Sequence, residues 1–525
     1  MMMRSIKTIL GVFAVYFLLT CMGVAQINNN LESVTMGRVL NPDTDTNDTM
    51  PSIGSLEDGR KIFAWHGYLN STDAVYARIL SETDLGKIEK ISGEGKVHDA
   101  PFVAVGKGGE AWVLWSSLGN NCWKILAKKW ENNRWGPETQ ISSNDVDAFM
   151  PSAVFLSNGS LVAVWAQCVE GEFGIYTSSN EKGAWAAPEQ ISSTGVDSFR
   201  PVVVSDANDV ALVVWDSYEK GDYKVMGRTI LPKLSKIEQI SQKGAYAITP
   251  TALSTSKGFF VAWLQLQDVV GGEGVISQMH TLRMAFKKGR NWVMAKDNEG
   301  DTSAATLTHG IMVKVEPEPE WKLGYMGRCR VPMLAEKDDE VWLIWDRKQN
   351  PTGHPQLSTG ELVGRPFREG RWKDTVVLHQ GLIDYHLTGI PEFNDNCMAV
   401  YASELPRYHK RIYHEVGIDV KRTKKFLQDD WLGWSPVALP LKEEETKRHA
   451  TVINGKEYKL FWADLHNHGT NTCDAEGELD ELFHYARDRA RIDVVSMTDN
   501  DDIFDDPLTV SEYEKSSYFA RWLSS

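Results

Sequence analysis

Cysteine is scarce in this chain, and the cysteines that are present form no recognisable pattern. There are six in 525 residues, no two of them spaced as C-x-x-C, and Cys21 lies in an N-terminal segment that we expect to be removed. An odd number of scattered cysteines indicates neither a disulfide framework nor a cysteine zinc site. The stability of the fold therefore has to come from packing.

Positive charge is also in deficit. The 56 lysines and arginines are outnumbered by 71 aspartates and glutamates, which gives a net charge of -15 and a pI near 5.4. Such a surface repels a phosphate backbone, so we expect no nucleic-acid partner. Ordinary solubility is a sufficient explanation for the acidity.

A long apolar run occurs only at the N-terminus. Basic residues Arg4 and Lys7 precede an apolar stretch from Ile9 to Leu19, and small residues follow at Gly23 and Ala25. This order is typical of a secretory signal peptide over residues 1–25, with an uncleaved or lipidated anchor as the alternative. Because no later segment is apolar enough to span a bilayer, we expect a secreted or periplasmic protein without stable membrane insertion.

A repeat of about fifty residues dominates the next part of the chain. Proline recurs at the same interval, and a tryptophan follows each of the first four prolines at one fixed distance. An isoleucine within EKIS, TQIS or EQIS strings keeps the same period. The three sets are Pro51, Pro101, Pro151, Pro201 and Pro250; Trp65, Trp115, Trp165, Trp215 and Trp263; and Ile91, Ile141, Ile191 and Ile240. Features that recur in step indicate one supersecondary unit copied end to end.

Each unit is predicted to consist of strands. Runs such as LVAVW are short, rich in β-forming residues and bounded by turn signals such as Asp58-Gly59. A second strand follows a polar turn, a third includes Trp135 or Trp185, and the EQIS string supplies another. About four strands in forty to fifty residues match the blade of a β-propeller, so the fold class is mainly β. Prolines at Pro332 and Pro391 continue the count to seven blades, with six as the alternative, and residues 26–50 are candidates for the closing strand.

These repeats resemble those of sialidase-like secreted bacterial propellers. The segment Ser178–Trp185 is similar to the Asp-box of that group, with asparagine in place of aspartate. The resemblance implies a propeller over residues 26–415 whose ligand is a glycan or a protein. No arginine triad or nucleophilic tyrosine can be placed, so sialidase activity is not expected. For the recurrent tryptophans, packing between blades is favoured over stacking on a sugar.

The β-repeat pattern ends near residue 415. Residues 416–456 carry charge runs and are predicted to be a linker or a docking segment, and a second domain begins at residue 457. There, an apolar run predicted to be a buried strand leads to Asp464, His466 and His468. Alternate residues of a strand point the same way, so both imidazoles are candidate metal ligands, with Asp464 placed to orient a ring. An amphipathic helix from Leu479 to Ala490 and a strand before Asp499 complete a predicted βαβ unit.

This order of motifs, DLHNH followed by a helix and then TDN, resembles the PHP superfamily and its DUF3604 branch. The resemblance implies a metal-dependent phosphoesterase with zinc or manganese bound by His466, His468, Asp474 and Asp499. Asn500 departs from the family's usual histidine. A barrel of this kind needs on the order of 200 residues or more, so we expect an incomplete and inactive PHP-like α/β fragment over residues 457–525.

Two classes of function are therefore predicted. The first is an exported metal-dependent hydrolase whose propeller binds a substrate or a partner. The second is a non-catalytic propeller that binds glycans or proteins. The catalytic residues themselves stay unknown at this point, and bound metal is the property that separates the two classes.

Overall fold

The computed structural model describes most of the chain between Arg38 and Ser524. The described residues are 38–94, 97–181, 183–270, 276–307, 312–315, 320–323, 332–349, 359–380, 385–392, 397–404, 411–418, 424–425, 435–436, 448–469, 477–499 and 508–524. The predicted signal peptide lies outside them. Within these ranges, no helix is both long enough and apolar enough to cross a membrane.

Antiparallel sheets of four to six strands follow one another along the described chain. Sheet 1 contains β2 (Asn47–Ser55), β3 (Lys61–Leu69), β4 (Thr72–Leu80) and β5 (Glu89–Lys90), and sheet 2 contains β6 (Val97–Val105), β7 (Ala111–Gly119), β8 (Cys122–Glu131) and β9 (Arg134–Gln140). Sheet 3 contains β10 (Asp147–Phe155), β11 (Leu161–Val169), β12 (Glu172–Glu181), β13 (Ala184–Trp185) and β14 (Glu189–Gln190), and sheet 4 contains β15 (Asp197–Ser205), β16 (Ala211–Glu219), β17 (Asp222–Leu231) and β18 (Glu238–Gln239).

The later sheets are less regular. Sheet 5 contains β19 (Tyr246–Thr255), β20 (Gly258–Val270), β21 (Ile276–Lys288), β22 (Asn291–Met294), β23 (Ala305–Leu307) and β35 (Ser435–Pro436), and a separate hairpin contains β24 (Met312–Val315) and β25 (Glu320–Leu323). Sheet 6 contains β26 (Met333–Lys337), β27 (Glu340–Gln349), β28 (Thr359–Arg368), β29 (Arg371–Trp372), β30 (Val376–Gln380) and β34 (Lys424–Lys425). Sheet 7 contains β31 (Tyr385–Glu392), β32 (Cys397–Glu404), β33 (Arg411–Ile418) and β1 (Arg38–Val39).

The sheets are arranged as a closed ring, as in a propeller. The first strand of each sheet contacts the first strand of the next, from β2 through β6, β10, β15, β19 and β26 to β31, and β31 contacts β2 again. The last sheet is completed by β1, which pairs with β33 through Arg38 and Glu415. The expected closing strand from residues 26–50 is therefore confirmed.

The recurrent prolines mark a bulge in the innermost strand of each repeat. In sheets 1 to 5 the strand pairing shifts around the proline, and the residue before each proline has a positive φ: Met50, Ala100, Met150, Arg200 and Thr249, at 48° to 59°. Proline is tolerated here because the strand lies at the sheet edge and the bulge needs no amide donor. This first strand was not predicted from the sequence. Two segments were expected to be separate strands, one with the tryptophan and one with the EQIS-type string. They instead form a single fourth strand, as in β9.

The tryptophans occupy equivalent places, as predicted. Trp65, Trp115, Trp165 and Trp215 each stand fifth in the second strand and are at most 1% exposed. They lie within these strands and do not end them. The packing interpretation is confirmed, because the side chains lie in the core between sheets.

The repeated Ile-Ser pair explains how the fourth strand joins the third. Ile141 donates its N–H to the carbonyl of Ile125, and Ser142 Oγ accepts the N–H of the same residue at 3.0 Å. The backbone N–H and carbonyl of Ile125 are thus both hydrogen-bonded by the Ile141-Ser142 dipeptide, while the Ile141 side chain is buried. The same contacts recur at Ser92, Ser192 and Ser241.

The C-terminal part forms a small α/β unit. It contains the exposed hairpin β36 (Ala450–Ile453) and β37 (Lys456–Lys459), then β38 (Ala463–Asp464), the helix α1 (Leu479–His484) with a π-helical continuation (Tyr485–Ala490), β39 (Val494–Val495) and the helix α2 (Val510–Ser524). Strands β38 and β39 pair in parallel, as expected for a βαβ unit.

One expectation from the sequence is wrong here. The run before His466 is not a buried strand, because Leu460, Phe461, Trp462 and Leu465 are 48%, 61%, 58% and 61% exposed. A two-residue strand has one neighbour, and nothing in the described ranges covers its outer side. Helix α2 begins with a capping box, in which Thr509 and Glu512 exchange backbone-to-side-chain bonds at 2.9 and 3.2 Å.

The predicted linker contributes to the ring of sheets. Its described residues include β34, which pairs with β30, and β35, which pairs with β20. These contacts favour the docking alternative over a free linker.

Candidate functional site

The predicted metal ligands lie where the two parallel strands end. The His466 and His468 rings face the same side, with centroids 4.9 Å apart. Asp499 follows β39, and its Oδ1 accepts the N–H of Gly469 at 2.6 Å. The structure therefore brings the two imidazoles together and holds Asp499 against the residue that follows His468.

Reciprocal bonds join the two loops that carry these residues. Asn467 donates its N–H to Thr498 Oγ1 at 3.1 Å, and Thr498 donates its N–H to the Asn467 carbonyl at 2.7 Å. Asp464 Oδ1 accepts the backbone N–H of His466 at 3.3 Å. This contact fixes the backbone of the HxH segment, whereas the sequence analysis expected Asp464 to orient an imidazole ring.

The fourth predicted ligand cannot be placed, since Asp474 lies outside the described residues. Within the described ranges, no three histidine, cysteine, aspartate or glutamate side chains are grouped closely enough to hold a metal ion. Two imidazoles and one nearby carboxylate are what the described loops bring together.

A second polar site joins the C-terminal unit to the propeller. Arg200, the residue before Pro201, donates to both carboxylate oxygens of Asp216 at 2.7 and 2.8 Å. On its other side it donates to Asp480 of α1 at 2.6 and 3.0 Å. Asp216 also accepts the N–H of Thr249. Both carboxyl groups are at most 1% exposed, so one guanidinium bonds two buried acidic side chains.

The network continues through a tyrosine to a histidine. The Tyr223 hydroxyl donates to Asp480 at 2.5 Å and lies 2.7 Å from His484 Nδ1. Because the hydroxyl proton is committed to Asp480, Nδ1–H of His484 is the donor in the second bond. The Nε2 atom of His484 is buried without a hydrogen-bond partner in the described structure.

These contacts set the charge of both C-terminal groups. Burial by itself would raise the pKa of Asp480, but Arg200 lowers it overall, with help from the hydrogen bond donated by Tyr223. Burial lowers the pKa of His484 to about 4. At neutral pH the site therefore contains an ionised Asp480 and a neutral imidazole, which stacks on the Tyr218 ring with centroids 3.7 Å apart.

Helix α2 covers the same face of the ring over sheets 1 to 4. Phe519 is 1% exposed and stacks on Phe173 with centroids 5.6 Å apart. Lys515 donates to Asp99 at 2.9 Å, and Trp522 donates its indole N–H to the Gly171 carbonyl at 2.8 Å. The apolar face of the C-terminal unit is thus buried against the propeller.

The residues of this second site were not predicted from the sequence. One signal for them was present: among sheets 1 to 5, the position before the repeated proline is methionine, alanine or threonine in four sheets and arginine only at Arg200. A charged residue at a core-facing bulge requires a buried partner. Its partner in the C-terminal unit was not visible from the repeat alone.

Fold and site together define a propeller-type ring of antiparallel sheets with an α/β unit docked on one face. No model of a known protein family matches the chain, and no curated protein matches it.

Solved structures do show a likeness. A protein of unknown function from Dyadobacter fermentans is 11% identical, with a TM-score of 0.38, and the match covers 62% of this chain and 97% of that one. An ulvan lyase solved with a bound saccharide is 8% identical, with a TM-score of 0.46 and coverage of 73% and 96%. A subtype N11 neuraminidase-like protein of A/flat-faced bat/Peru/033/2010 is 10% identical, with a TM-score of 0.36 and coverage of 65% and 93%. With TM-scores below 0.5, these matches carry no argument about function, and the fold assignment rests on the strand pairings of the chain itself.

Proposed function

We propose that the protein is exported and carries, in its C-terminal unit, part of the metal centre of a metal-dependent hydrolase of phosphoester type, and that this form of the chain is inactive. The observation that carries the proposal is the pair of imidazoles, His466 and His468, at 4.9 Å between centroids, with Asp499 bonded to the backbone of Gly469 in the same loop region. Two side-by-side histidines at the end of a strand, next to an acidic residue from the parallel neighbour, are donors that suit zinc or manganese.

The chemistry follows from the donor set. His466 and His468 would supply two of the ligands, with Asp499 and Asp474 as further proposed ligands. A bound divalent ion lowers the pKa of its water and stabilises negative charge on a phosphoryl oxygen. The bonds between Asn467 and Thr498 keep the two ligand loops at a fixed separation, which is the positioning that a metal site requires.

The domain organisation belongs to the same proposal. We assign residues 1–25 to a signal peptide, 26–415 to a seven-bladed propeller, 416–456 to a docking segment and 457–525 to the PHP-like unit. The closed circuit of seven first strands supports the blade number. The propeller would hold a substrate or partner near the docked unit, whose position is fixed by the Arg200 network.

The metal content of the purified chain tests this function. We expect bound zinc or manganese that is lost in His466→Ala and retained in His449→Ala, which changes an exposed histidine away from the strand end. Hydrolysis of an aryl phosphate is measured on the same samples, and any turnover has to disappear in His466→Ala. Absence of metal, or metal unaffected by His466→Ala, would refute the proposal and leave a non-catalytic propeller that binds glycans or proteins.

A further inference from the structure

A turn of the propeller is bonded to the π-helical continuation of α1. Arg489 donates from Nε to the Gly221 carbonyl at 2.9 Å and from Nη2 to Asp222 Oδ1 at 2.6 Å. Its guanidinium also lies over the Tyr246 ring, 4.9 Å from the centroid. Arg489 is therefore attached both to the turn between β16 and β17 and to the first strand of sheet 5.

The attached segment ends two residues later, where the chain turns towards the candidate metal ligands. The carbonyl of Ala486 accepts the backbone N–H of Arg491 and that of Ile492, the latter at 2.9 Å. Arg491 has φ 56°, the left-handed conformation that commonly ends a helix. Because these bonds fix the exit from the π-helix, the place of Arg489 determines where β39 begins.

The residues after this cap are bonded to the start of β38. Asp493 accepts the backbone N–H of Trp462 at 2.7 Å, and the Trp462 carbonyl accepts the N–H groups of Asp493 and Val494 at 2.9 and 3.1 Å. Arg448 donates to the Arg491 carbonyl at 2.9 Å and to Asp493 Oδ1 at 3.0 Å. The residues that lead from the π-helix into β39 thus also hold the start of β38.

Side-chain packing gives this pair of strands limited support. Each strand has two residues, and Leu465 and Val494 are 61% and 50% exposed. On the other side, Val495 and Met497 pack against the buried cluster. Two strands of this length are marginally stable by themselves, so their pairing depends on the contacts at their ends.

We propose that Arg489 is a positioning residue for the candidate metal centre, which rests on the function proposed for His466 and His468. The propeller turn holds Arg489, Arg489 holds the exit of the π-helix, and this exit sets how β39 pairs with β38. That pairing places the loop of Asp499 beside Gly469. Groups that orient ligand-bearing segments without touching the ion contribute to metal affinity. The turn of sheet 4 then contributes to metal binding through position alone.

The zinc affinity of the full chain, measured by competition with a chelating indicator, tests this role. Arg489→Met keeps an unbranched side chain against Tyr246 but removes the donors, and we expect zinc to bind about tenfold more weakly. Arg489→Lys keeps a cationic donor towards Asp222 and should recover part of the loss. Lys224→Met removes an exposed pair with Glu219 beside the same turn; it is the matched control and leaves the affinity unchanged.

Hydrogen exchange in EDTA provides a second readout that needs no metal. In Arg489→Met we expect faster exchange in residues 461–469 and 492–499, with the protection of α2 retained. If the wild type binds no zinc, the proposed function fails, and the exchange result alone decides whether Arg489 positions the two loops. Zinc affinity or loop exchange no different from that of Lys224→Met, or an equal loss of protection throughout α2, would each overturn the proposal.

Discussion

Replacement of Arg200 by methionine tests whether the buried ionic network holds the C-terminal unit on the propeller. Methionine already occupies the equivalent bulge position at Met50 and Met150, so the backbone of sheet 4 accommodates it. The variant loses four N–H···O bonds, two to Asp216 and two to Asp480. It also leaves both carboxylates buried without their cation.

The magnitude follows from that burial. Removal of one partner from a buried ion pair costs about 3–5 kcal/mol, since the remaining charge is uncompensated. The N–H of Thr249 and the hydroxyl of Tyr223 continue to stabilise the carboxylates, which favours the lower end of this range. We expect the equilibrium constant for local opening of α1 and α2 to rise by about a hundredfold or more.

Amide hydrogen exchange of α1 and α2, compared with that of sheet 4, measures this opening. Lys224→Met is the control, because Lys224 forms an exposed pair with Glu219 at 2.7 Å and should change stability by less than about 1 kcal/mol. In the Arg200→Met background, Asp480→Asn should recover part of the loss. If Arg200→Met changes helix protection no more than Lys224→Met does, or exposes sheet 4 as much as the helices, the docking argument is wrong.

Three further predictions concern single side chains. The pKa of His484 is lowered in the folded protein, so its contribution to stability is present above about pH 6.5 and is lost as pH falls towards 4. Burial raises the pKa of Glu481 to about 8, and this group acts in the opposite direction over the same interval. Hydrogen exchange should therefore show the effect of His484 as a difference: on acidification α1 of the wild type loses protection relative to α1 of His484→Gln. Trp165→Ala should destabilise by about 3–5 kcal/mol in chemical denaturation, because a fully buried indole is replaced by a cavity, and a cost below about 1 kcal/mol would contradict its role in the core. Glu170→Asn should raise the free energy of unfolding by up to about 1 kcal/mol by relieving a positive φ, whereas a clear loss of stability would show that the turn needs glutamate.

The repeat was predictable because identical positions face identical surroundings. Trp65 and its equivalents recur at the interval of one blade, and their shared burial follows from the shared strand position. The first strand was harder to recognise, since proline usually argues against a strand and its bulge is visible only in the pairing.

The candidate metal site was predictable in part for a similar local reason. His466 and His468 alternate along one backbone, so their proximity follows from two-residue periodicity. The contact between Asp499 and Gly469 depends on the parallel pairing of β38 and β39, which the helix between these two strands implied.

The docking of the C-terminal unit could not be predicted. Arg200 and Asp480 are separated by 280 positions in the chain, and neither carries a motif that names the other. The exposed run at Phe461 and Trp462 was also missed, because hydrophobicity reports a preference for burial and not the presence of a covering surface.

X-ray absorption spectroscopy of the zinc-loaded chain tests the central claim most directly, since it counts the histidines around the ion. The proposed centre predicts two imidazole ligands with nitrogen at about 2.0–2.1 Å. In His466→Ala one imidazole remains, and in His449→Ala both are retained. A spectrum without imidazole scattering, or one that is identical in the wild type and His466→Ala, would contradict the assignment of His466 and His468 as metal ligands.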